Sequence, residues 1–302
     1  MEALLGSKLK KNHLIMMIVF ALVLTSSVVV STPRVSHKDP MPGEECFSDD
    51  SDYQCVNPAV KTVRDSTLIF VTPWNKIGYE LVQTYSHKVD MISPVWFYIE
   101  KNKNTGKFEF QGRQDIDKKL IEGIKQRNAK IKILPRMYVS ASEDELKWFI
   151  QPENFNKVFA QLVSIAAEEG IDGYVFDFPL FNRLKYSGPV KKCLDTIEEK
   201  FSHLYKVITF SGYRISITKS VQEVEPYLRI FNKILVCTYD YPNKTFDKWL
   251  GPVGWVSDNI EFYLSVATKL NVAPNRFMLG VPFYGYMVDG NTYSSKQIQV
   301  AE

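Results

Sequence analysis

The stretch Ile171–Phe178, with the sequence IDGYVFDF, decides the fold of this chain. It is a short, mainly apolar run, and runs of this length suit a strand that is buried on both faces. Similar runs occur along the chain at Thr67–Thr72, Val89–Tyr98, Lys130–Leu134, Tyr213–Thr218, Ile234–Thr238 and Phe277–Val281. The sequence therefore predicts a set of buried strands spread over most of its length.

Helical patterns fill the gaps between these runs. Asn154 has the character of an N-cap, apolar residues follow it at helical spacing, and Gly170 occupies the position of a C-terminal cap. Residues 190–207 and 255–270 carry similar apolar stripes. Strands that alternate with helices through short connections indicate parallel βαβ units and an α/β fold. No glycine-rich phosphate-binding motif follows the first strand, so a (β/α)8 TIM barrel is favoured over an open, doubly wound sheet.

The sequence after Val281 suffices only for a loop and the start of a helix. We therefore expect residues 65–302 to form a C-terminally truncated barrel of about seven strands, which lacks the eighth β/α unit.

The composition is that of a globular protein. Of the 302 residues, 45% are hydrophobic and 24% are charged, whereas disordered chains carry fewer apolar residues. The net charge is only +3, and no long basic run occurs beyond the N-terminus. The sequence therefore lacks the basic patch that is typical of nucleic-acid binding. Aromatic residues, at 13%, are frequent enough to build a stacking surface.

The first residues read as a targeting segment. Lys8, Lys10 and Lys11 precede an apolar run from Leu14 to Val30, which is the pattern of a secretory signal peptide over residues 1–31. An uncleaved signal anchor is the alternative. The glycosylation sequon at Asn243 agrees with a secretory protein that is extracellular or lysosomal and has no other contact with a membrane.

Residues 32–64 have no strand or helix period and are expected to form a flexible polar leader. Within it, Cys46 and Cys55 are a candidate disulfide in an oxidising compartment. Cys193 and Cys237 fall in apolar segments and are expected to be buried thiols. The absence of a CxxC or Cys/His cluster predicts no metal site.

In barrels of this type, functional residues lie at the C-terminal ends of the strands. Aromatic and polar residues recur at those positions, and aromatic rings suit both the apolar face and the hydroxyl groups of a sugar. The alternative is that each ring caps the barrel core. The positions are Trp74, Asn75, Trp96–Tyr98, Arg136, Tyr138, Asp177, Lys219, Tyr239–Tyr241, Phe283 and Tyr284.

Three of these strand ends carry a resemblance to a known family. Residues 172–179, DGYVFDFP, resemble the DGxDxDxE strand of glycoside hydrolase family 18, the chitinases. Tyr239-Asp240 resembles the end of that family's sixth-strand MTYD, and residues 279–285, LGVPFYG, resemble its seventh-strand LGxPFYG. Pro135-Arg136 stands where the family has Ser-x-Gly-Gly. The resemblance implies a barrel that acts on or binds N-acetylglucosamine oligosaccharides, without a cofactor.

Two departures from the family pattern bear on catalysis. The resemblance implies that a Glu protonates the glycosidic oxygen and that the preceding Asp orients the substrate's acetamide. Here Pro179 occupies the Glu position and Val175 the middle Asp position, whereas Asp177 is retained. Because loss of a positioned general acid typically costs about 10²–10⁴-fold in rate, no catalytic residue is assigned and a non-hydrolytic binding protein is expected.

The expected saccharide-binding residues are Trp74, Tyr98, Arg136, Asp177, Tyr239, Asp240 and Tyr284, and Asp172 and Gly173 are expected to be structural. Arg136 would narrow the groove or reach an acidic or acetylated sugar. Two further hypotheses remain open. One is a secreted scaffold for a protein partner, in which Asp177 is only a barrel-interior carboxylate bonded to Tyr239. The other is an active glycosidase with a relocated acid, for which Glu223 and Glu225 are the nearest acidic pair.

Overall fold

A computed structural model describes residues 45–48, 53–56, 61, 66–140, 142–178, 188–212, 220–241, 251–282, 284–288 and 295–299. Its strands are β1 (Glu45–Ser48), β2 (Tyr53–Val56), β3 (Leu68–Val71), β4 (Met91–Pro94), β5 (Phe97–Lys101), β6 (Phe108–Gln111), β7 (Lys132–Ile133), β8 (Arg136–Tyr138), β9 (Gly173–Asp177), β10 (Tyr205–Ser211), β11 (Lys233–Cys237), β12 (Phe277–Gly280), β13 (Tyr284–Val288) and β14 (Ser295–Gln299). Its helices are α1 (Lys76–Thr84), α2 (Lys118–Arg127), α3 (Glu143–Phe149), α4 (Pro152–Glu169), α5 (Gly188–Lys200), α6 (Glu225–Ile230) and α7 (Val253–Leu270). Among the described residues, no helix is long and apolar enough to cross a bilayer.

The main sheet is built of parallel strands that follow one another in chain order. Strands β3, β4 and β7 pair side by side, as do β5, β8, β9, β10, β11 and β12. The two rows are continuous, because β4 leads into β5 through Val95 and Trp96, and β7 leads into β8 through Leu134 and Pro135. Proline has no N–H to donate to a ladder, and one proline stands at each break, Pro94 directly before the first and Pro135 within the second. With helices between successive strands, this is an α/β fold of the (β/α)8 TIM-barrel type, as the sequence predicts.

Side chains of the sheet point alternately into the barrel and toward the helices. The interior is filled by Met91, Leu134, Val175, Val207 and Leu235, all buried. The opposite face of the sheet packs against the helices and forms the larger core, in which Phe159, Phe176 and Phe201 are fully buried and meet edge to face. Such ring pairs add about 0.5–1.5 kcal/mol each beyond the area they bury.

Polar side chains fix the strands at their N-terminal ends. Asp90, Asp172 and Asn232 each immediately precede a strand and accept a hydrogen bond from the backbone N–H of a residue in or just before the neighbouring strand, at 2.7, 2.7 and 2.8 Å. The donors are Thr67, Ile133 and Lys206. We call these three contacts the register clamps, because each sets the alignment of one strand against the next.

Lysine side chains support the two acidic clamps. Lys125 donates to Asp172 at 2.7 Å, and Lys61 pairs with Asp90. Partial burial raises the pKa of Asp90, but the bonds from Lys61 and Thr67 outweigh it and hold the pKa below its ordinary value. This clamp therefore stabilises the fold above the unfolded-state pKa of the carboxyl, and weakens as the pH falls through the lower folded-state pKa.

Gly173, the residue after the second clamp, is required by close packing. A Cβ atom at this position would lie 1.8 Å from the backbone oxygen of Tyr205 on the neighbouring strand. Only glycine allows the two backbones to approach this closely. The structural role expected for Asp172 and Gly173 is thus the role that their contacts support.

The helix predicted to start at Asn154 begins earlier. Helix α4 starts at Pro152 with Gln151 as its N-cap residue, and proline is well suited to the first helical turn because its missing N–H has no partner there. Asn154 lies inside the helix, where its side chain donates to the backbone oxygen of Trp148 at 2.8 Å. The predicted end is confirmed, since Gly170 caps the helix with a left-handed φ of 67°.

The strand that pairs with β9 on its C-terminal side in the chain lies earlier in the sequence than the pattern predicts. It is β10, Tyr205–Ser211, whereas the pattern predicts Tyr213–Thr218, a segment that lies outside the described residues. The helix expected over residues 190–207 is α5 and ends at Lys200. The reason is Lys206, which interrupts the apolar run but is buried, with its ammonium group donating to the backbone oxygens of Phe201 and Leu204.

A short hairpin lies within the stretch expected to lack strands. Strands β1 and β2 pair in antiparallel register, with Cys46 directly opposite Cys55. The predicted disulfide therefore joins two positions that the backbone places across from each other. Residues that face each other in antiparallel strands have Cα atoms about 4.5–5.5 Å apart, which is within the range a disulfide requires.

Replacing Asp172 by Ala should destabilise the fold by about 2–3 kcal/mol, because the N–H of Ile133 and the ammonium group of Lys125 both lose their acceptor. Urea unfolding followed by circular dichroism measures the change. Lys147→Ala, which breaks an exposed ion pair with Glu143, is the matched control and should cost less than about 0.5 kcal/mol. Equal effects of the two substitutions would show that the clamp contributes no more to the free energy of unfolding than an exposed ion pair does.

Candidate functional site

Three polar side chains converge at the C-terminal ends of β8, β9 and β10. In the sheet register, Arg136 lies opposite Val175, and Phe176 lies opposite Ile208, so Asp177 and Thr209 are neighbours on adjacent strands. Arg136 and Asp177 point to the same side of the sheet, because residues two apart on a strand share a face. The parallel register thus brings these groups together at the mouth of the barrel, where sites of this fold lie.

The carboxylate of Asp177 is bonded on both of its oxygens. Nε of Arg136 donates to Oδ2 at 2.6 Å, and Nη2 of the same guanidinium forms an ion pair with that oxygen. The hydroxyl group of Thr209 donates to Oδ1. The alternative expectation that Asp177 bonds to Tyr239 is wrong, since the partners of its carboxylate are Arg136 and Thr209.

Tyr138 supports the guanidinium from one face. The central carbon of the Arg136 guanidinium lies 4.5 Å from the centre of the Tyr138 ring, a cation–π arrangement. Burial, and after it the nearby charge of Asp177, raises the pKa of Tyr138. Tyr98 is half-buried and pairs with Tyr138 across β5 and β8, so it belongs to the same edge of the site.

A second group of side chains comes from the end of β11 and the start of β13. The hydroxyl group of Tyr239 donates to Sγ of Cys237 at 3.2 Å, and the Tyr239 ring meets the Tyr284 ring edge to face, with 6.1 Å between the centres. Tyr284 donates to Oδ2 of Asp240 at 2.6 Å. Asp240 has a left-handed φ of 55°, which aspartate tolerates better than most residues.

The two groups of side chains lie at the same end of the parallel strands. Burial, and after it the negative charge of Asp177, raises the pKa of the Cys237 thiol to about 12, against the opposing effects of the hydrogen bond from Tyr239 and of Arg136. Burial likewise raises the pKa of Tyr239, with smaller contributions from Cys237 and Asp177. We call Tyr98, Arg136, Asp177, Tyr239, Asp240 and Tyr284, together with Tyr138 and Thr209, the rim site.

Other predicted residues lie elsewhere. Asp172 and Gly173 are at the N-terminal end of β9, opposite the rim site. Trp74 lies in the connection between β3 and α1 and is 70% exposed. Trp96 belongs to the core, fully buried, with its indole N–H donating to the hydroxyl of Tyr79 at 3.0 Å. Of the acidic pair considered as replacement acids, Glu225 is the exposed first residue of α6.

Sequence reasoning did not identify Thr209 as part of the site, because it falls between the helix predicted over residues 190–207 and the strand predicted at Tyr213–Thr218, whereas it belongs to β10. A polar residue in the apolar run YKVITF could have revealed it, had the run been read as the fifth strand. Four residues with a predicted role, Pro179, Lys219, Asn243 and Phe283, lie outside the described residues. Within the part of the chain that is described, no group of three His, Cys, Asp or Glu side chains could hold a metal ion.

Solved structures that are similar to this chain include chitinases and a spore cortex-lytic enzyme. The glycoside hydrolase family 18 chitinase ChiB of Flavobacterium johnsoniae aligns with a TM-score of 0.55 and 17% identity, over 78% of this chain and 73% of that chain. The Bacillus cereus spore cortex-lytic enzyme SleL aligns with a TM-score of 0.56 and 13% identity, over 78% and 55% of the respective chains.

A third structure contains a bound oligosaccharide. It is a mutant of the Ostrinia furnacalis Group II chitinase catalytic domain 2, in complex with penta-N-acetylchitooctaose, (NAG)5, and it aligns with a TM-score of 0.55 and 15% identity, over 78% of this chain and 69% of that chain. No protein-family profile matches the sequence. The chain therefore has a chitinase-like fold of the glycoside hydrolase family 18 type, as the motifs indicate, and at these identities the likeness is one of fold.

The thiol of Cys237 should be unreactive in the folded protein. With its pKa at about 12, only about one thiol in 10⁴ is ionised at pH 8, and the thiolate is the reactive form. Iodoacetamide at pH 8 followed by peptide mass spectrometry should find Cys237 unmodified in the native protein and modified in urea. Rapid modification of the native protein would contradict the raised pKa of the Cys237 thiol.

Proposed function

We propose that the rim site binds oligosaccharides that contain N-acetylglucosamine, and that it does so without hydrolysing them. The observation that carries this proposal is the state of Asp177, whose two carboxylate oxygens are held by Arg136 and Thr209 inside a rim of tyrosines. The rim has the groups that recognise a sugar, while its central carboxylate is committed to the protein.

The tyrosines supply surfaces for the sugar rings. Tyr98, Tyr138, Tyr239 and Tyr284 are each neither fully buried nor fully exposed, so that ring faces and hydroxyl groups are in part accessible. Amphipathic rings of this kind suit the C–H face and the hydroxyl groups of a pyranose. The oligosaccharide complex of a protein with the same fold supports this choice of ligand class.

Hydrolysis would need a proton donor at the glycosidic oxygen. Pro179 at the family's acid position has no proton to give. Glu145, at the same end of the barrel, accepts hydrogen bonds from the backbone N–H and the hydroxyl group of Ser140, both at 2.6 Å, and Asp240 accepts from Tyr284. Both carboxylates are therefore already engaged in hydrogen bonds within the protein.

Chitotetraose should raise the unfolding temperature of the protein without being cleaved. A ligand that binds only the native state increases the free energy of unfolding by RT ln(1 + [L]/Kd), which is about 2.7 kcal/mol at a hundredfold excess over Kd. Tyr284→Ala should weaken binding about tenfold through loss of one ring face. Tyr85→Ala, at the far end of α1, is the control that should leave the affinity unchanged.

Three outcomes of that experiment separate the hypotheses. A transition that moves upward, with no release of reducing ends, supports the binding proposal. A transition that no saccharide moves favours the scaffold for a protein partner. Steady release of reducing ends would show that another residue acts as the acid, and would end the non-hydrolytic proposal.

We further propose that, among chitinase-like proteins, this chain most resembles chitinase domain-containing protein 1. The support is in the sequence, at residues 71–75 (VTPWN), residues 92–96 (ISPVW) and Pro135-Arg136. In the structure Pro135 lies between β7 and β8, and Arg136 donates to the carboxylate of Asp177. An alignment of that protein's relatives, in which Arg136 and Pro179 both recur, would test the assignment; their absence would refute it.

Entry into the secretory pathway is also proposed, from the basic and apolar N-terminal segment and the sequon at Asn243. When the full chain is expressed in cultured animal cells, digestion with an N-glycosidase should increase its gel mobility. Asn243→Gln should abolish the change, because this is the one sequon in the sequence. A chain that is insensitive to the enzyme would contradict the assignment.

The same secreted protein provides a test of the disulfide between Cys46 and Cys55. These positions face each other across β1 and β2. One tryptic peptide, residues 39–61, contains both cysteines. Without reduction it should be lighter than its dithiol form by two hydrogen atoms and should resist alkylation, whereas a peptide alkylated at both cysteines would exclude the bond.

A further inference from the structure

Arg136 presents unused hydrogen-bond donors at the centre of the rim site. Its Nε and Nη2 both act on one oxygen of Asp177, whereas Nη1 has no hydrogen-bond partner within the described part of the chain. A guanidinium carries five N–H donors in a planar arrangement, so one edge of the group remains available. The Tyr138 ring, 4.5 Å away, supports the plane and limits its movement.

The two partners of the ion pair differ in their exposure to solvent. The side chain of Asp177 is 13% exposed and that of Arg136 is 26% exposed, so the positive partner is the more accessible one. Asp177 is held from its other side by Thr209 and cannot rotate away from the pair without losing that bond. A ligand that approaches the rim therefore meets the guanidinium edge before it meets the carboxylate.

Two other carboxylates at this end are engaged within the protein. Glu145 is bonded to Ser140, and Asp240 accepts from Tyr284 on the opposite side of the rim. Arg136 is thus placed to offer two parallel N–H groups to a planar anion, the geometry in which guanidinium and carboxylate groups pair most strongly.

We propose that Arg136 selects oligosaccharides in which N-acetylglucosamine alternates with a hexuronic acid, by pairing its free edge with the uronate carboxylate. This inference rests on the proposed function, since it names the ligand class of the same site. It makes Arg136 a specificity-determining residue that contacts the ligand, and Asp177 and Thr209 positioning residues that orient it.

The test compares two ligands that differ only in charge. A hyaluronan tetrasaccharide contains alternating N-acetylglucosamine and glucuronate, and its carboxyl-reduced form has the same linkages with neutral glucose in place of glucuronate. Isothermal titration at low ionic strength should show the acidic form binding about tenfold more tightly, in line with the strength of charge-assisted pairs. The preference should decrease as salt is added.

Variants then assign the preference to Arg136. Arg136→Met should bring the ratio of the two affinities close to one, and Arg136→Lys should keep part of it. Asp177→Asn should increase the ratio, because Arg136 would lose its internal counter-charge. Arg127→Met, at the end of α2, makes the same change in charge away from the site and should leave the ratio unaltered.

The possible failures can be told apart. Equal binding of the two tetrasaccharides by the unmodified protein overturns the proposal whether or not any variant folds, and leaves the glycan-binding function intact if chitotetraose binds. A preference that survives in Arg136→Met also overturns it. Failure to bind chitotetraose and both tetrasaccharides would refute the proposed function itself.

Discussion

The hydrogen bond between the carboxylate of Asp172 and the backbone N–H of Ile133 sets the alignment on which the rest of the barrel depends. It fixes β9 against β7. The clamps at Asp90 and Asn232 fix β4 against β3 and β11 against β10 in the same way. A shift by one residue would turn every side chain to the other face of the sheet. Parallel strands joined by long helical connections need such a fixed point, since no tight turn defines their register.

The site at the opposite end follows from this alignment. Arg136, Asp177 and Thr209 meet only because their strands keep the register in which Val175 faces both Arg136 and Val207. The apolar layer of Leu134, Val175 and Val207 separates the clamps from the rim site, and its packing prevents either end from adjusting by itself. In this way the structural residues at one end determine the chemistry at the other.

The sequence could predict the strands that are apolar throughout, the helix that ends at Gly170 and the general position of the site. It failed where one side chain contradicts its surroundings. Lys206 interrupts the run of the fifth strand, yet it is buried, because backbone oxygens accept its ammonium group and burial lowers its pKa. The partners of Asp177 could not be predicted either, since the direction of the Arg136 side chain depends on a register that no local pattern encodes.

Two hydroxyl groups of the rim have their hydrogen atoms directed into the protein. Thr209 and Tyr284 each donate the single hydrogen of the hydroxyl to a carboxylate; Thr209 is buried, whereas Tyr284 is partly exposed and its oxygen can only accept from a ligand. A sugar that binds as we propose would then act as the donor at Tyr284. The rim would thereby distinguish a free hydroxyl group from a methyl ether at the same carbon, a selection by the direction of the hydrogen bond and not by size or charge.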